Sequence, residues 1–292
     1  MHSVIEGLLK EGVILTDGSW GTQMQARGLQ RGEPPDAWNL THPDLVEEVA
    51  RQYVEAGSRI ILTNTFGANR IVLEKHGLAG RAVEINEAGV RISKRAAGER
   101  ALVFASIGPS GKMLITGDVT AAELGAAFEE QAQAQAQAGA DGFVVETMMD
   151  LEEALAAVAA AKQTGRPVIA SMVFDSGKDK DRTLMGHTPE QAVEVFVKAG
   201  VDGLGANCGQ GIEGFVPICR RLRAATRLPL WMKPNAGLPE LVKGEAIYRT
   251  TPLEFASRVP DLVAAGADFI GGCCGTDQAF IKAVGKAIRA LG

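Results

Sequence analysis

One short motif recurs at four places where a helical pattern gives way to an apolar run, and it limits the folds open to this chain. The motif ends a helix at Ala-Gly, with the glycine at the helix C-cap, and leads directly into the next apolar run. It occurs at Glu55–Ile60, Gln137–Gly142, Lys198–Gly203 and Ala264–Phe269. A helix that repeatedly feeds a buried strand in this way is typical of a parallel sheet covered by helices.

Eight apolar or β-branched runs alternate with eight helical patterns. The predicted strands are Val13–Thr16, Arg59–Thr63, Leu102–Ser106, Gly142–Val145, Pro167–Val173, Gly203–Ala206, Leu230–Lys233 and Phe269–Gly271. The predicted helices are Pro43–Ala56, Val83–Ala97, Thr120–Ala138, Asp150–Thr164, Pro189–Ala199, Ile212–Ala225, Pro252–Ala265 and Asp277–Leu291, with capping boxes at Thr188 and Thr251. Eight βα units close a barrel, so the sequence predicts an α/β fold, a single (β/α)8 TIM barrel. A doubly wound open sheet is the alternative, but it would seldom need eight such regular units.

Length and charge narrow the class of protein further. The 292 residues suit one barrel domain spanning residues 1–292, because no stretch resembles a linker to a second domain. The net charge is −5 and the basic residues are scattered, which argues against nucleic-acid and membrane partners. Without a signal-peptide pattern at the start, and with only four cysteines, we expect a reducing, cytoplasmic location. These features leave the oligomeric state open.

Polar residues follow the predicted strands at the positions where each strand ends. In an α/β barrel the chemistry collects at these carboxyl ends, where an inert core would carry valine or isoleucine. The polar positions are Asp17, Thr63–Thr65, Ser106, Glu146–Thr147, Asn207–Cys208, Pro234–Asn235 and Cys273–Cys274. The sequence therefore predicts a polar site at one mouth of the barrel.

The cysteines in this ring predict a metal site. If the strands before Cys208 and before Cys273–Cys274 lie in one barrel, three thiolates can meet at one point, which is a zinc site with its fourth position free. The glycines of Gly271–Gly275 allow the turn that two adjacent cysteines need to point the same way. A single cysteine at a strand end can instead be a small buried apolar side chain, and this is our interpretation of Cys219. A vicinal disulfide between Cys273 and Cys274 is a further alternative.

The glycine-rich stretch after the last strand also allows a different interpretation. Many barrels bind phosphate with backbone N–H groups in this region. Gly271, Gly272 and Gly275 could do so, although the two cysteines and the anion-repelling Asp277 argue against it.

Asp17 and Glu146 are the acidic members of the ring, and their ordinary roles would be a salt bridge or a helix cap. In a pocket, two carboxylates suit an ammonium group, while Gly18, Thr63 and Thr65 suit a carboxylate. Asn235 completes the predicted substrate-binding set. A metal that binds a thiol and carboxylates that bind an amine together predict an aminothiol substrate.

The residues above resemble a known family, the zinc-dependent homocysteine S-methyltransferases. The similarity is strongest to the homocysteine-binding domain of cobalamin-dependent methionine synthase. It rests on Thr16–Thr22, Leu62–Arg70, Val145–Thr147, Gly205–Cys208, Pro234–Pro239 and Gly272–Gly275. The resemblance implies a zinc-bearing barrel in which Cys208, Cys273 and Cys274 bind zinc and a zinc-activated homocysteine thiol is the nucleophile. It also implies that Asp17 and Glu146 hold the substrate amine, with Gly18 and Thr63 near its carboxylate.

The resemblance leaves more than one methyl donor open. We expect methylcobalamin, carried by a separate corrinoid protein, since no cobalamin domain accompanies the barrel. The alternative is an onium compound such as S-methylmethionine or a betaine, although Gly67 stands where betaine enzymes carry an aromatic residue. Two other classes remain: a non-catalytic zinc-binding module, and a phosphate-binding barrel lyase or isomerase, for which Lys233 is the candidate catalytic lysine.

Overall fold

Eight parallel strands form one sheet in the computed structural model, which describes residues 1–242 and 245–291. They are β1 (Ile14–Leu15), β2 (Ile60–Leu62), β3 (Leu102–Ile107), β4 (Gly142–Met148), β5 (Val168–Met172), β6 (Gly203–Gly211), β7 (Leu230–Asn235) and β10 (Phe269–Ile270). The strands pair in sequence order from β2 to β7, then β7 with β10 and β10 with β1. A parallel bridge between Thr16 and Ile60 joins β1 to β2 and closes the sheet. The predicted (β/α)8 barrel is confirmed.

Helices cover the outside of the barrel between successive strands. The long ones are α4 (Pro43–Glu55), α6 (Ala82–Ala97), α7 (Ala121–Gln137), α8 (Leu151–Lys162), α9 (Pro189–Ala199), α10 (Ile212–Ala225) and α13 (Gln278–Arg289). The shorter ones are α1 (Ser3–Leu9), α2 (Gly21–Ala26), α3 (Trp38–Thr41), α5 (Arg70–Glu74), α11 (Pro252–Ser257) and α12 (Val259–Ala264). Capping boxes form at Thr188 and Thr251, as predicted.

The prediction of one continuous helix over Pro252–Ala265 is wrong. The chain forms α11 and α12 with a break at Arg258. Pro260 explains the break, because its ring lacks an N–H and would clash with the carbonyl four residues earlier in an unbroken helix. As the second residue of α12, the same proline is tolerated.

The inside of the barrel is filled by apolar side chains from alternate strand positions. They form one buried cluster with Ile5 and Leu8 of α1, a helix that the sequence patterns did not reveal. The strand members are Ile14, Ile60, Leu62, Phe104, Val144, Ile169, Trp231 and Phe269. The backbone N–H of His2 donates to Asp202 Oδ1 over 2.6 Å, which fastens the start of α1 to the loop that enters β6. Because that loop precedes its strand, α1 lies at the mouth opposite the strand ends.

The loops that follow the strands build the other mouth. The loop after β7 carries a two-stranded antiparallel hairpin, β8 (Glu240–Val242) with β9 (Glu245–Ile247). The polar segment from Gln23 to Asn39 also reaches this mouth, where its residues from Gly32 to Asp36 line a cavity. Within residues 1–242 and 245–291, no helix combines the length and apolar character needed to span a bilayer.

If α1 completes the barrel core, shortening its central side chain should destabilise the whole domain. Ile5 is fully buried, so we expect Ile5→Ala to lower the free energy of unfolding by about 2–4 kcal/mol through loss of packing and a residual cavity. Urea unfolding followed by circular dichroism measures the change. Val83→Ala is the matched control, since Val83 is 44% exposed on α6 and its truncation should change stability by less than about 0.5 kcal/mol. Equal effects of the two variants would show that α1 is not part of the core.

Candidate metal and substrate site

A cavity of about 610 Å³ opens at the mouth where the strands end. Six of the nine predicted site residues line it: Gly18, Thr63, Glu146, Cys208, Cys273 and Cys274. The other three, Asp17, Thr65 and Asn235, are buried behind this lining. The structure therefore brings all of the predicted site residues together at one mouth. Six of them face the cavity, and the other three support this lining from behind.

The three thiols meet at the base of the cavity. The sulfurs of Cys208, Cys273 and Cys274 all lie within 4.8 Å of one another, and those of Cys208 and Cys274 are 3.8 Å apart. Sulfurs that share a tetrahedral zinc ion at the usual Zn–S length are about 3.8 Å apart. All four cysteines are free thiols, so the vicinal disulfide is absent here, and Cys219 is buried in α10 as expected. The donor set thus fits a thiophilic divalent ion.

Backbone hydrogen bonds hold the Cys273–Cys274 turn against β7. The N–H of Cys273 donates to Pro234 O over 2.8 Å, and the carbonyl of Cys274 accepts from Ala236 N–H over 2.9 Å. The turn then passes through Gly275 at φ +81°, where a Cβ atom would lie 2.2 Å from Cγ of Tyr248. Only glycine fits this position, so the local sequence fixes the direction in which both thiols point.

Backbone hydrogen bonds in this turn argue against the phosphate-binding alternative. The N–H of Gly271 donates to Met232 O over 3.1 Å, that of Gly272 to Asp17 O over 3.0 Å, and that of Cys273 to β7. These amides are committed to the barrel backbone and do not form a nest of free donors around an anion. The geometry therefore favours the sulfur site.

Two strand ends in the site hold non-glycine residues with positive φ. Cys208 has φ +64° and Thr147 has φ +60°, a conformation that costs on the order of 1–3 kcal/mol. The side chain of Asn207, next to Cys208, holds the two strand ends together as a clamp. Its Oδ1 accepts a hydrogen bond from the Thr147 N–H over 2.8 Å and another from Ser171 Oγ over 2.7 Å. Its amide donates to Thr147 Oγ1 over 2.7 Å. The clamp keeps Cys208 directed at the other two thiols.

Contacts among the three thiols shift their pKa values. Thiol hydrogen bonds from Cys273 and Cys274 favour the Cys208 thiolate and lower the pKa of Cys208. The same contacts raise the pKa of Cys273 and the pKa of Cys274. Without a cation the cluster therefore favours one thiolate over three.

Asn235 is buried at the end of β7, behind the thiols, and its side chain contributes to lowering the pKa of Cys208. Its buried Oδ1 has no hydrogen-bond partner in the part of the chain that the structure describes. A buried acceptor without a donor is unfavourable, so this atom has room for a partner that the protein does not supply.

Both carboxylate oxygens of Asp17 are already paired with groups of the protein. One of its oxygens accepts from Trp20 Nε1 over 2.8 Å and from the Leu62 N–H over 2.7 Å. The other oxygen pairs with the ammonium of Lys233, a cavity-lining residue of β7. Burial lowers the pKa of Lys233, but the Asp17 and Glu146 carboxylates outweigh it and hold that pKa above its ordinary value. The ordinary alternative of a salt bridge thus applies to Asp17.

Glu146 faces the cavity from the end of β4. Its Oε1 accepts from Ser106 Oγ over 2.5 Å, and only 7% of the residue is exposed. Burial raises the pKa of Glu146, and the neighbouring Lys233 ammonium and the Ser106 hydroxyl partly offset the rise. The result is a positioned carboxylate close to the thiols.

The two threonines divide their roles. Thr63 lines the cavity, and its hydroxyl lies 2.6 Å from that of Thr65 and accepts from the Ser106 N–H. Thr65 is fully buried, donates to Ser106 O over 2.9 Å and accepts from Gln135 Nε2 over 3.0 Å. Thr65 therefore supports the wall that Thr63 presents.

The outer part of the cavity contains residues that the sequence patterns did not single out. Asp36 is almost fully buried, accepts from the Gly67 N–H over 3.0 Å, and has its pKa raised to about 7 by burial. Phe66 and Trp20 also line the cavity. Asp36 lies in a single-turn 3-10 helix, Pro35–Ala37, with no strand end to mark it, so no periodicity signal could have identified it.

Comparison with known proteins places the chain among its relatives. The homocysteine S-methyltransferase family matches residues 14–288. Methionine synthase from Mycobacterium tuberculosis (strain ATCC 25618 / H37Rv) is 33% identical over 302 residues, covering 96% of this chain and 25% of the relative. Methionine synthase from Mycobacterium leprae (strain TN) is 32% identical over 301 residues, covering 96% and 24%. The chain therefore spans about a quarter of the length of the curated relatives it matches.

A solved structure agrees over nearly the full chain. The metallated form of the homocysteine methyltransferase MmuM from Escherichia coli superposes with a TM-score of 0.79 at 25% identity, covering 95% of this chain and 97% of that one. The sequence match and the shared barrel lead to the same assignment: the chain belongs to the homocysteine S-methyltransferase family.

Proposed function

We propose that this chain transfers a methyl group to the sulfur of homocysteine, giving methionine, with zinc held by Cys208, Cys273 and Cys274. The observation that carries the proposal is the convergence of three thiols and a buried carboxylate at the base of one cavity, in a member of this family. Neither of the rival classes accounts for both features: a zinc-binding module needs no carboxylate in a cavity, and a phosphate-binding lyase needs no thiols.

The donor set favours zinc over harder ions. Thiolate ligands select thiophilic metals such as zinc, and three protein ligands leave a fourth position for a substrate. When bound, zinc supplies a Lewis acid that keeps the acceptor sulfur ionised, whereas a free thiol with a pKa of about 8.5 is mostly protonated at neutral pH.

The remaining residues orient the acceptor. Glu146 accepts hydrogen bonds from its ammonium, and Ser106 holds that carboxylate in place. The Gly18 backbone and Thr63 lie on the same cavity wall, beside the place that we propose for the acceptor's carboxylate. In this proposal Asp17, Thr65 and Asn235 act from behind the wall, as supports of Lys233, Thr63 and Cys208. No general base is needed once the acceptor has lost its thiol proton.

A methyl donor carried by a corrinoid protein is the leading proposal for the other half of the reaction. Several large apolar side chains are exposed in the loops that follow the strands, around the cavity mouth. They are Phe66, Met113, Ile115, Met149, Leu184, Leu238 and Leu241, which we call the apolar rim. Exposed apolar side chains gathered at one mouth are typical of a surface that contacts a partner. The similarity to methionine synthases supports methylcobalamin as the donor.

A small onium donor is the second candidate. The outer cavity holds the buried carboxylate of Asp36 and the aromatic ring of Phe66. A carboxylate and an aromatic face are the groups that bind a sulfonium or quaternary ammonium cation. S-methylmethionine or a betaine would therefore find suitable contacts there.

Removing a cysteine of the cluster should remove the metal. We expect wild-type protein to bind about one zinc per chain and Cys208→Ala or Cys273→Ala to bind less than about a tenth of that, because two thiolates hold zinc poorly at neutral pH. Mass spectrometry of dialysed, metal-loaded protein gives the content. Cys219→Ala should keep its zinc. Stoichiometric zinc in either cluster variant, or its loss from Cys219→Ala, would contradict the proposed ligands.

Neutralising Glu146 should weaken acceptor binding without releasing the metal. A charge-assisted hydrogen bond contributes about 1.5–3 kcal/mol, so Glu146→Gln should raise the homocysteine Kd about 10- to 100-fold. Calorimetric titration measures the affinity, and the metal content serves as the control for an intact cluster. Unchanged affinity in a zinc-replete variant would show that Glu146 does not bind the acceptor.

The apolar rim provides a test of the donor. With zinc-loaded protein, homocysteine and free methylcobalamin, we expect methionine to form. Ile115→Ser with Leu238→Ser should slow its formation about fivefold or more by removing apolar contacts between the rim and the corrinoid itself. Homocysteine affinity should not change. The control is Val197→Ser, since Val197 is 48% exposed in the last turn of α9, at the end of the barrel opposite this mouth. Methionine formed from S-methylmethionine or a betaine, and none from methylcobalamin, would support the onium donor instead.

A further inference from the structure

Lys233 is a buried cation in the wall of an acceptor cavity. Its side chain is only 3% exposed, and it lines the same cavity as Glu146 and the three thiols. The ammonium also lies 5.6 Å from the centre of the Trp231 ring. A buried ammonium is tolerated only when it is paired, and the partner here is Asp17.

The pairing removes Asp17 from the groups available to a substrate. The carboxylate receives Lys233 on one oxygen and both Trp20 Nε1 and the Leu62 N–H on the other, and it has no exposed surface. A substrate ammonium could reach Asp17 only by displacing Lys233. Such a group would also stand beside a fixed positive charge, and like charges at close range repel.

The cavity wall therefore carries less negative charge than two unpaired carboxylates would give it. Asp17 and Lys233 neutralise each other, which leaves Glu146 as the carboxylate beside the thiols that can attract a cation. Among the described residues the Lys233 ammonium donates to Asp17 alone, whereas an ammonium group has three N–H donors. The remaining donors are available to an anionic group in the cavity.

We propose that Lys233 is a specificity-determining residue that receives the carboxylate of the acceptor, while Glu146 receives its ammonium. This inference rests on the proposed function, because it concerns how the same acceptor is held. It makes the site selective for thiols that carry a carboxylate, and homocysteine carries both a carboxylate and an amine. An aminothiol without the carboxylate would lack its partner and leave the buried ammonium unsatisfied.

Three thiols with matched chain lengths separate the two contacts. Homocysteine has both groups, 4-sulfanylbutanoate has only the carboxylate, and 3-aminopropane-1-thiol has only the amine. Calorimetric titration of each into zinc-loaded protein gives a carboxylate preference, defined as the Kd of the aminothiol divided by the Kd of homocysteine. We expect Lys233→Met to lower this preference about 10- to 100-fold, the usual effect of losing a hydrogen bond to a charged group.

Lys233→Met leaves Asp17 buried without its partner, which can prevent folding. The double variant Asp17→Asn with Lys233→Met removes the pair as a whole and should show the same loss of preference. Lys282→Met, at an exposed position on α13, is the matched control and should keep the wild-type preference.

Each outcome decides between distinct accounts. A lower carboxylate preference in the double variant supports the inference when it comes from weaker binding of homocysteine. An unchanged preference, or one that falls only because 3-aminopropane-1-thiol binds more tightly, overturns the inference while leaving the proposed function intact. Wild-type protein that binds none of the three thiols would overturn the proposed function and this inference with it.

Discussion

Closure of the parallel sheet is the constraint on which the site depends. The bridge between Thr16 and Ile60 and the pairing of β1 with β10 make the sheet continuous, so every strand ends at the same mouth. Cys208 and Cys274 are 66 residues apart in sequence, and their sulfurs come within 3.8 Å because their strands end at that mouth. An open sheet would leave β1 and β2 on separate edges, and Asp17 would lose its contact with the Leu62 N–H.

The site is held by unfavourable elements that the surrounding structure stabilises. Thr147 and Cys208 adopt positive φ, and Asn207 compensates by bonding to the backbone and the side chain of Thr147. A buried ion pair, Asp17 with Lys233, likewise stands where an inert barrel would have apolar residues. Buried pairs seldom add stability over apolar packing, so their presence is better explained by function. In our account this pair sets the charge that an acceptor meets.

The sequence predicted the architecture well because each βα unit has its own local signals. The Ala-Gly helix ends and the apolar runs mark all eight strands, and the motifs at Cys208 and Cys273–Cys274 locate the thiols. The end of α11 is also predictable in principle, since Pro260 is visible in the sequence and a proline interrupts a continuous helix. Helix α1 was missed because it is short and its role depends on what it covers.

The sequence could not predict in the same way which side chains pair with each other inside the site. Asp17 and Lys233 are 216 residues apart, and nothing local to either residue indicates that they pair. The sequence therefore assigned Asp17 to a substrate ammonium, and the structure places a lysine of the chain at that carboxylate. Likewise, the division between Thr63 on the wall and Thr65 behind it depends on Ser106 and Gln135, which come from other elements.

X-ray absorption at the zinc edge, recorded on zinc-loaded protein before and after homocysteine is added, tests the central claim most directly. The account predicts three sulfur neighbours at about 2.3 Å without homocysteine and four with it, as the acceptor sulfur takes the open position. A zinc environment that does not respond to homocysteine, or zinc bound with fewer than three sulfurs, would contradict it.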